Sequence, residues 1–391
     1  MQEHEPLVHA QLPVGSETDA NQPGLSTLRA AVANRARRAI GRPTIRQDAI
    51  AGLNSALSSV PDGMASGLLA GVNPIHGLYA CMAAPIAGGL ASSTQLMMIT
   101  TTSAAALGAG EALADLPFEQ RAGALVLLVV MIGGFQLLLG LFGFGRLTRF
   151  VSYSVMTGFV CGIAVRTILT QLDTISGLQS EGPNAVIRAI NLLVKFQQFD
   201  PATIGMAALA TVLIAILPHT RLGSSGTIVA IAIPSLLVLL FDLSTVQIVR
   251  DIGEIPRGIP GLAIPRLSDL SPELVSSAFA LSLVILVQGV GVSQSVPNPD
   301  GSARKASRDF VAQGVANIAS GFFRGLPVGG SLSTTALSVA SGASSRWASL
   351  FAGLIMAALV VIFPGLAERI AMAALSARLA GLLVYEYTTL T

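Results

Sequence analysis

The chain has 391 residues, of which 52% are apolar, 11% charged and 5% aromatic, with a net charge of +2 and 40 glycines. So few charges exclude a disordered chain, and so much glycine among apolar residues excludes an ordinary soluble core. The balance fits many packed membrane helices, whose small residues let backbones approach one another.

Residues 1–46 are polar and contain no hydrophobic run, so they form neither a signal peptide nor a span. Arg29, Arg35, Arg37, Arg38, Arg42 and Arg46 gather just before the first apolar stretch. The charge bias of membrane insertion then puts the N-terminus in the cytoplasm.

Apolar segments follow at 47–65, 72–91, 98–109, 122–143, 150–172, 201–217, 226–241, 272–293, 308–323, 332–342, 348–363 and 366–385. Alternating sides from a cytoplasmic N-terminus places Arg146, Arg149, Arg221, Arg304, Lys305, Arg308 and Arg346 inside, and Glu111, Asp115 and Glu119 outside. A full helical span needs about 20 residues, so the segments at 98–109 and 332–342 cross only part of a bilayer.

Those two short segments share a design. Each carries hydroxyls, Thr100, Thr101, Thr102 and Ser103 in one and Ser331, Ser333, Thr334 and Thr335 in the other, followed by a run of small residues. Their opposite orientations predict an inverted repeat in which extended chain turns helical near the midplane. The first N–H groups of such half-helices lack intrahelical partners and carry the positive end of the helix dipole. Two such ends, capped by hydroxyls that also donate hydrogen bonds, form an anion site. The alternative is that the hydroxyls bond back to their own helices or join neighbouring ones.

Asp62 is the other candidate. A carboxylate in a span costs about 2.5–3.5 kcal/mol near the centre and marks ion or proton pathways. Burial and repulsion by a bound anion both favour its protonated form, which predicts proton-coupled anion symport. Two structural roles compete: capping a helix that restarts after Pro61, or pairing with Arg166 in the fifth segment. Cys81 and Cys161 lack ligand spacing and read as buried thiols, and His76 reads as a packed or interfacial histidine. Gly63, Gly67 and Gly71 at spacing four predict close helix contact. No nucleotide loop, catalytic triad or metal constellation appears, so neither an enzyme nor a cofactor is expected.

The stretch "DAIAGLNSALSSVPDGMASGLLAGVNPIHGLYACMAAP" at 48–85 resembles the signature of the SulP anion transporters, the sulfate permease family. Further similar stretches are "VMTGF" at 155–159, "GEIPRGIP" at 253–260, "VAQGVANIASGFFRGLPVGGS" at 311–331 and "SGA" at 341–343. The resemblance implies an all-α polytopic membrane protein with an inverted-repeat (7+7) transporter fold. It divides residues 47–391 into a core, 47–143 with 272–363, and a gate, 150–241 with 366–391. It also implies a homodimer, and two further spans and a cytosolic STAS domain beyond Thr391.

Departures from the family pattern fall in the expected pocket. Members usually have glutamine where this chain has Asp62, an aromatic at Ser66, arginine at Thr334 and glutamate at Gln288. The S-V-G-P that opens the third segment is replaced by Met97, Met98, Ile99 and Thr100. A roomier, less cationic site follows, and C4-dicarboxylates join sulfate and bicarbonate as candidate substrates.

The predicted substrate-binding residues are therefore Asp62, Ser66, Thr100, Thr101, Thr102, Gln288, Ser331, Ser333 and Thr334, with Asp62 also the proton-coupling group. The predicted function is secondary active transport of a small anion by alternating access in the cytoplasmic membrane. Its partners are the anion, a proton and the lipid bilayer, with no nucleic acid. A channel or uniporter of the same fold, a sodium-coupled carrier and a non-transporting membrane sensor are the alternatives.

Overall fold

A computed structural model of the chain describes residues 44–146, 185–217, 225–251, 260–362 and 369–377, with 158, 162, 165, 168, 169, 171–178, 180, 220 and 258. Arg166, Cys161, most of "VMTGF", most of "GEIPRGIP", and most of the fifth and twelfth apolar segments lie outside the described residues.

In chain order the helices are α1 (Thr44–Leu69), α2 (Ile75–Ala91), α3 (Ser103–Ala112), α4 (Phe118–Leu141), α5 (Ala185–Val194), α6 (Pro201–Ile216), α7 (Ser225–Leu240), α8 (Pro272–Ser295), α9 (Ala306–Phe322), α10 (Leu332–Ala340) and α11 (Trp347–Ile362). Two strands interrupt them, β1 (Ile99–Thr101) and β2 (Val328–Gly330). Among the described residues, α4 and α8 are long and apolar enough by length and composition to cross a membrane unaided. The starts of α6 and α8 follow from sequence: Asp200 and Ser271 accept from the backbone N–H groups of Thr203 and Leu274, and a proline stands first in each helix.

Packing follows small residues. Helix α9 lies against α4 and α2, α2 also against α11, and α8 against α4 and α3; α6 lies against α7. At the α1–α2 crossing a Cβ on Gly77 would stand 1.7 Å from the Gly63 carbonyl oxygen, so the two backbones touch. Gly63 therefore serves close helix contact, as its spacing predicts. The first helix runs unbroken through Pro61, so Asp62 is an interior residue and not the cap of a restarting helix.

The two half-helices are joined by pairing that sequence does not announce. Strands β1 and β2 form an antiparallel ribbon with Ile99 opposite Gly330, Thr100 opposite Gly329 and Thr101 opposite Val328. The predicted half-helix at 98–109 accordingly begins later, at Ser103, because its first residues are spent on β1. Behind the ribbon, the buried Asn317 of α9 treats the free edge of β2 as a strand would. Its Oδ1 accepts from the Val328 N–H at 2.8 Å, and its Nδ2 donates to the Val328 carbonyl at 2.8 Å and to Gln136 Oε1 at 2.8 Å.

One end of the bundle is held by two buried carboxylates. Asp309 accepts from the backbone and hydroxyl groups of Ser93 and Thr94 and from the Ser92 hydroxyl, at 2.7–3.1 Å. Asp48 likewise accepts from the backbone N–H groups of Ser344 and Ser345 at 2.7 and 3.1 Å, and from both hydroxyls. At the same end Arg308 and Arg346 donate to the Ala91 and Leu90 carbonyls, and Arg304 donates to the carbonyls of Ser293, Gln294 and Val296. Cations at helix C-termini complement the negative end of the dipole.

Candidate functional site

The site begins with one face of α1. Ser59, Asp62 and Ser66, spaced three and four apart, stand on a common helical face. They meet the hydroxyls of both half-helices around a cavity of about 20 Å³, lined by Ser59, Asp62, Ser66, Thr100–Ser103, Ser331, Ser333 and Thr334. That space holds about one water molecule, so an oxyanion needs the walls to part.

Thr102 and Ser331 are the N-caps of α3 and α10: each hydroxyl oxygen accepts from the backbone N–H three residues on, Ala105 or Thr334, at 3.3 Å. From the ribbon register the caps sit at opposite ends of the paired stretch, roughly 13 Å apart along it. Both helices thus direct their positive ends toward the ribbon. Among the described lining residues Asp62 is the one ionisable side chain, and it is half-buried, as are Ser103 and Ser333.

The hydroxyls are held by one another and by the backbone. Ser66 Oγ donates to the Asp62 carbonyl at 2.8 Å, Ser331 Oγ to Thr334 Oγ1 at 3.0 Å, and Thr100 Oγ1 to the Cys81 sulfur at 3.3 Å. Cys81 is buried beneath the ribbon, and its sulfur also lies 3.5 Å from Thr101 Oγ1. Every predicted binding residue except Gln288 lines the cavity. Gln288 stands one step behind it, its Oε1 accepting from Thr102 Oγ1 at 3.3 Å. Thr335, grouped with these hydroxyls by sequence, turns away instead: its oxygen accepts from the Met98 N–H at 3.0 Å and fixes the ribbon.

Ser59 was missed by sequence reasoning, although its position one turn before Asp62 could have pointed to it. His76 is buried and hydrogen-bonds through Nδ1 to the Arg324 carbonyl at 2.6 Å, a packed histidine. A larger cavity of about 1120 Å³ lies elsewhere, with His76, Asp115, Glu119, Arg266, Asp269 and Arg324 among its walls; none of the predicted binding residues reaches it. Among the described residues no cluster of His, Cys, Asp or Glu could hold a metal ion.

Half-helices paired through a ribbon in opposite orientation, with hydroxyl-capped ends around a cavity, define an all-α inverted-repeat membrane transport fold. The sequence model of the sulfate permease family matches residues 45–386, and the chain belongs to that family. Its members are multi-pass integral membrane proteins and transporters, not enzymes. A "Probable sulfate transporter" of Mycobacterium tuberculosis is 29% identical over 341 residues, covering 86% of this chain. The chain spans 60% of that relative's length. The fold is also that of murine Slc26a9, an anion transporter solved in an inward-facing state (TM-score 0.82, 20% identity, 96% of this chain and 66% of that one). The transmembrane domain of the cyanobacterial bicarbonate transporter BicA has it too (TM-score 0.78, 22% identity, 88% and 89% coverage).

Proposed function

We propose that the chain is the membrane part of a secondary active carrier that moves a small anion together with a proton by alternating access. The observation that supports this most is a single carboxylate, Asp62, set among hydroxyls between the positive ends of two half-helices. The N-termini and the hydroxyls of Thr100, Thr101, Thr102, Ser331, Ser333 and Thr334 bind the anion, with Ser66 at its side and Gln288 orienting Thr102. An ionised Asp62 and an anion bound at the two helix ends repel at short range. The carrier is therefore loaded when Asp62 is protonated, and anion and proton cross together.

In this reading the unit of α1–α4 with α8–α11 carries the site past a gate built from the remaining spans, and two copies form a dimer. The N-terminus is cytoplasmic and the membrane is the cell's cytoplasmic membrane. Arg304, Arg308 and Arg346 at one end of the bundle, with the acidic Asp115 and Glu119 beside another cavity, support that orientation. The substrate belongs to the sulfate, bicarbonate or C4-dicarboxylate class. Hydroxyls, and among the described lining residues no basic side chain, favour a bulkier or less charged anion over a compact dianion.

The test is uptake into proteoliposomes of labelled sulfate, bicarbonate and a C4-dicarboxylate, with and without an inward proton gradient, by the unmodified chain and by Asp62→Asn. Accumulation of one anion only with the gradient, lost in Asp62→Asn while exchange of that anion persists, is the expected result. Uptake indifferent to pH in both proteins would overturn the coupling role and leave a uniporter, a channel or a sodium-coupled carrier.

A further inference from the structure

Helix α5 has no place in the transport argument, yet its surface is divided with unusual clarity. At 100° per residue, Val186, Ile187, Ile190, Leu193 and Val194 occupy one continuous arc of roughly 120°. All are exposed, Val194 at 76%, Leu193 at 62% and Ile190 at 54%. Asn191, Lys195 and Arg188 fill the next sector, and the buried Ala189 and Leu192 fill the third, facing the protein. The helix is anchored along one side, greasy along another and polar along the last.

Its location is fixed by its ends. The Asp200 N–H, at the cap of α6, donates to the Ser176 carbonyl at 3.1 Å, joining the start of α6 to the end of helical residues 171–176. The chain between leaves and re-enters the bundle at one level. Ser180 Oγ donates to the Arg188 carbonyl at 2.6 Å and ties α5 to that level. Ten residues reach about 15 Å, half of what the hydrocarbon core requires, so α5 cannot span.

We infer that α5 is an interfacial helix that lies in the headgroup–acyl boundary of the bilayer, its apolar arc against acyl chains and Lys195 at phospholipid phosphate. Apolar area on one face beside a basic sector is the design of helices that rest in a membrane surface, and long basic side chains reach from there to the phosphates. Arg188 shares the field of the nearby Asp173 carboxylate, which leaves Lys195 as the principal headgroup contact. The inference rests on the membrane setting and is independent of which anion is carried or how transport is coupled.

The experiment places a tryptophan at Ile190 or, in a second variant, at Val194, in the full chain with its single natural tryptophan removed (Trp347→Phe), reconstituted in phosphatidylcholine vesicles. Phospholipids brominated at shallow acyl positions are expected to quench either tryptophan several-fold more than deep-brominated lipids or aqueous iodide. Adding phosphatidylglycerol should raise the shallow quenching in both variants, and Lys195→Gln should abolish the rise. Strong iodide quenching without lipid quenching would place the helix in water and overturn the inference. Insensitivity to both quenchers, with cross-linking between copies through Ile190→Cys, would make the arc a contact with a second copy and overturn it equally. A shallow quench that ignores phosphatidylglycerol would remove the phosphate contact.

Discussion

Replacing Asn317 by leucine keeps the side chain's size and removes its amide. Three buried groups then lose their partners: the N–H and the carbonyl of Val328 and Oε1 of Gln136. Asn317, Gln136 and Val328 have no solvent exposure, so water cannot take over those bonds. An orphaned buried group costs about 1–3 kcal/mol, and three at the lower half of that range come to about 3–6 kcal/mol. The loss falls on the free edge of β2, so the ribbon should open without the whole bundle unfolding. At 1.4 kcal/mol per tenfold, amide hydrogen exchange across residues 326–334 should accelerate on the order of a hundredfold or more, while α8 serves as the internal reference. Mass-spectrometric exchange in detergent measures it, alongside the melting temperature. Unchanged exchange in that segment and an unchanged melt would refute the reasoning, since β2 would then keep its register without the amide.

Other substitutions probe separate parts of the argument. Gly77→Ala forces a Cβ onto the Gly63 carbonyl and should abolish a folded, monodisperse protein, whereas Gly134→Ala, which meets nothing within 4 Å, should be neutral or stabilise by up to about 1 kcal/mol; size-exclusion profiles and melts compare them. Asp309→Ala strips five hydrogen bonds from the 92–94 loop and should cost about 3 kcal/mol or more in thermal stability, with Asp309→Asn recovering part of it. Asp200, hydrogen-bonded by the Thr203 hydroxyl and N–H, is held below the usual carboxylate range. A lowered folded pKa means stability present above the unfolded pKa and lost as pH falls through the folded one. Asp200→Ala should thus melt lower than the unmodified chain at neutral pH, by the loss of a cap worth about 1 kcal/mol, and the gap should narrow as pH drops below about 4.

What was legible in the sequence was whatever expresses itself locally. Two short apolar runs opened by hydroxyls gave the half-helices, because an N-cap and the residues after it are neighbours in the chain. Thr102 and Ser331 are those caps. Asp62 stood out because a carboxylate among apolar residues needs a reason. The ribbon was not legible, since three-residue strands carry no periodicity and their partners are supplied by distant sequence. That same blindness grouped Thr335 with the capping hydroxyls and hid Asn317, whose role exists only once Val328 lies beside it. Helix α5 was missed for another reason: a search for runs of membrane-spanning length passes over ten residues whose apolar positions recur at helical spacing.

The ribbon also sets an order of assembly. Strand β1 is made early and β2 more than two hundred residues later, so the pocket cannot close while the first half alone is in the membrane. At about 5–20 residues per second, the edge of β1 waits on the order of 10–50 s for its partner. Throughout that interval its N–H and C=O groups need shelter from hydrocarbon, which only water or a chaperoning insertion site supplies. Nascent chains stalled after α4 should therefore show Thr101→Cys open to aqueous thiol reagents, and chains stalled beyond α11 should show it shielded. The binding site is finished only when the second half of the repeat arrives, however early its first residues are made.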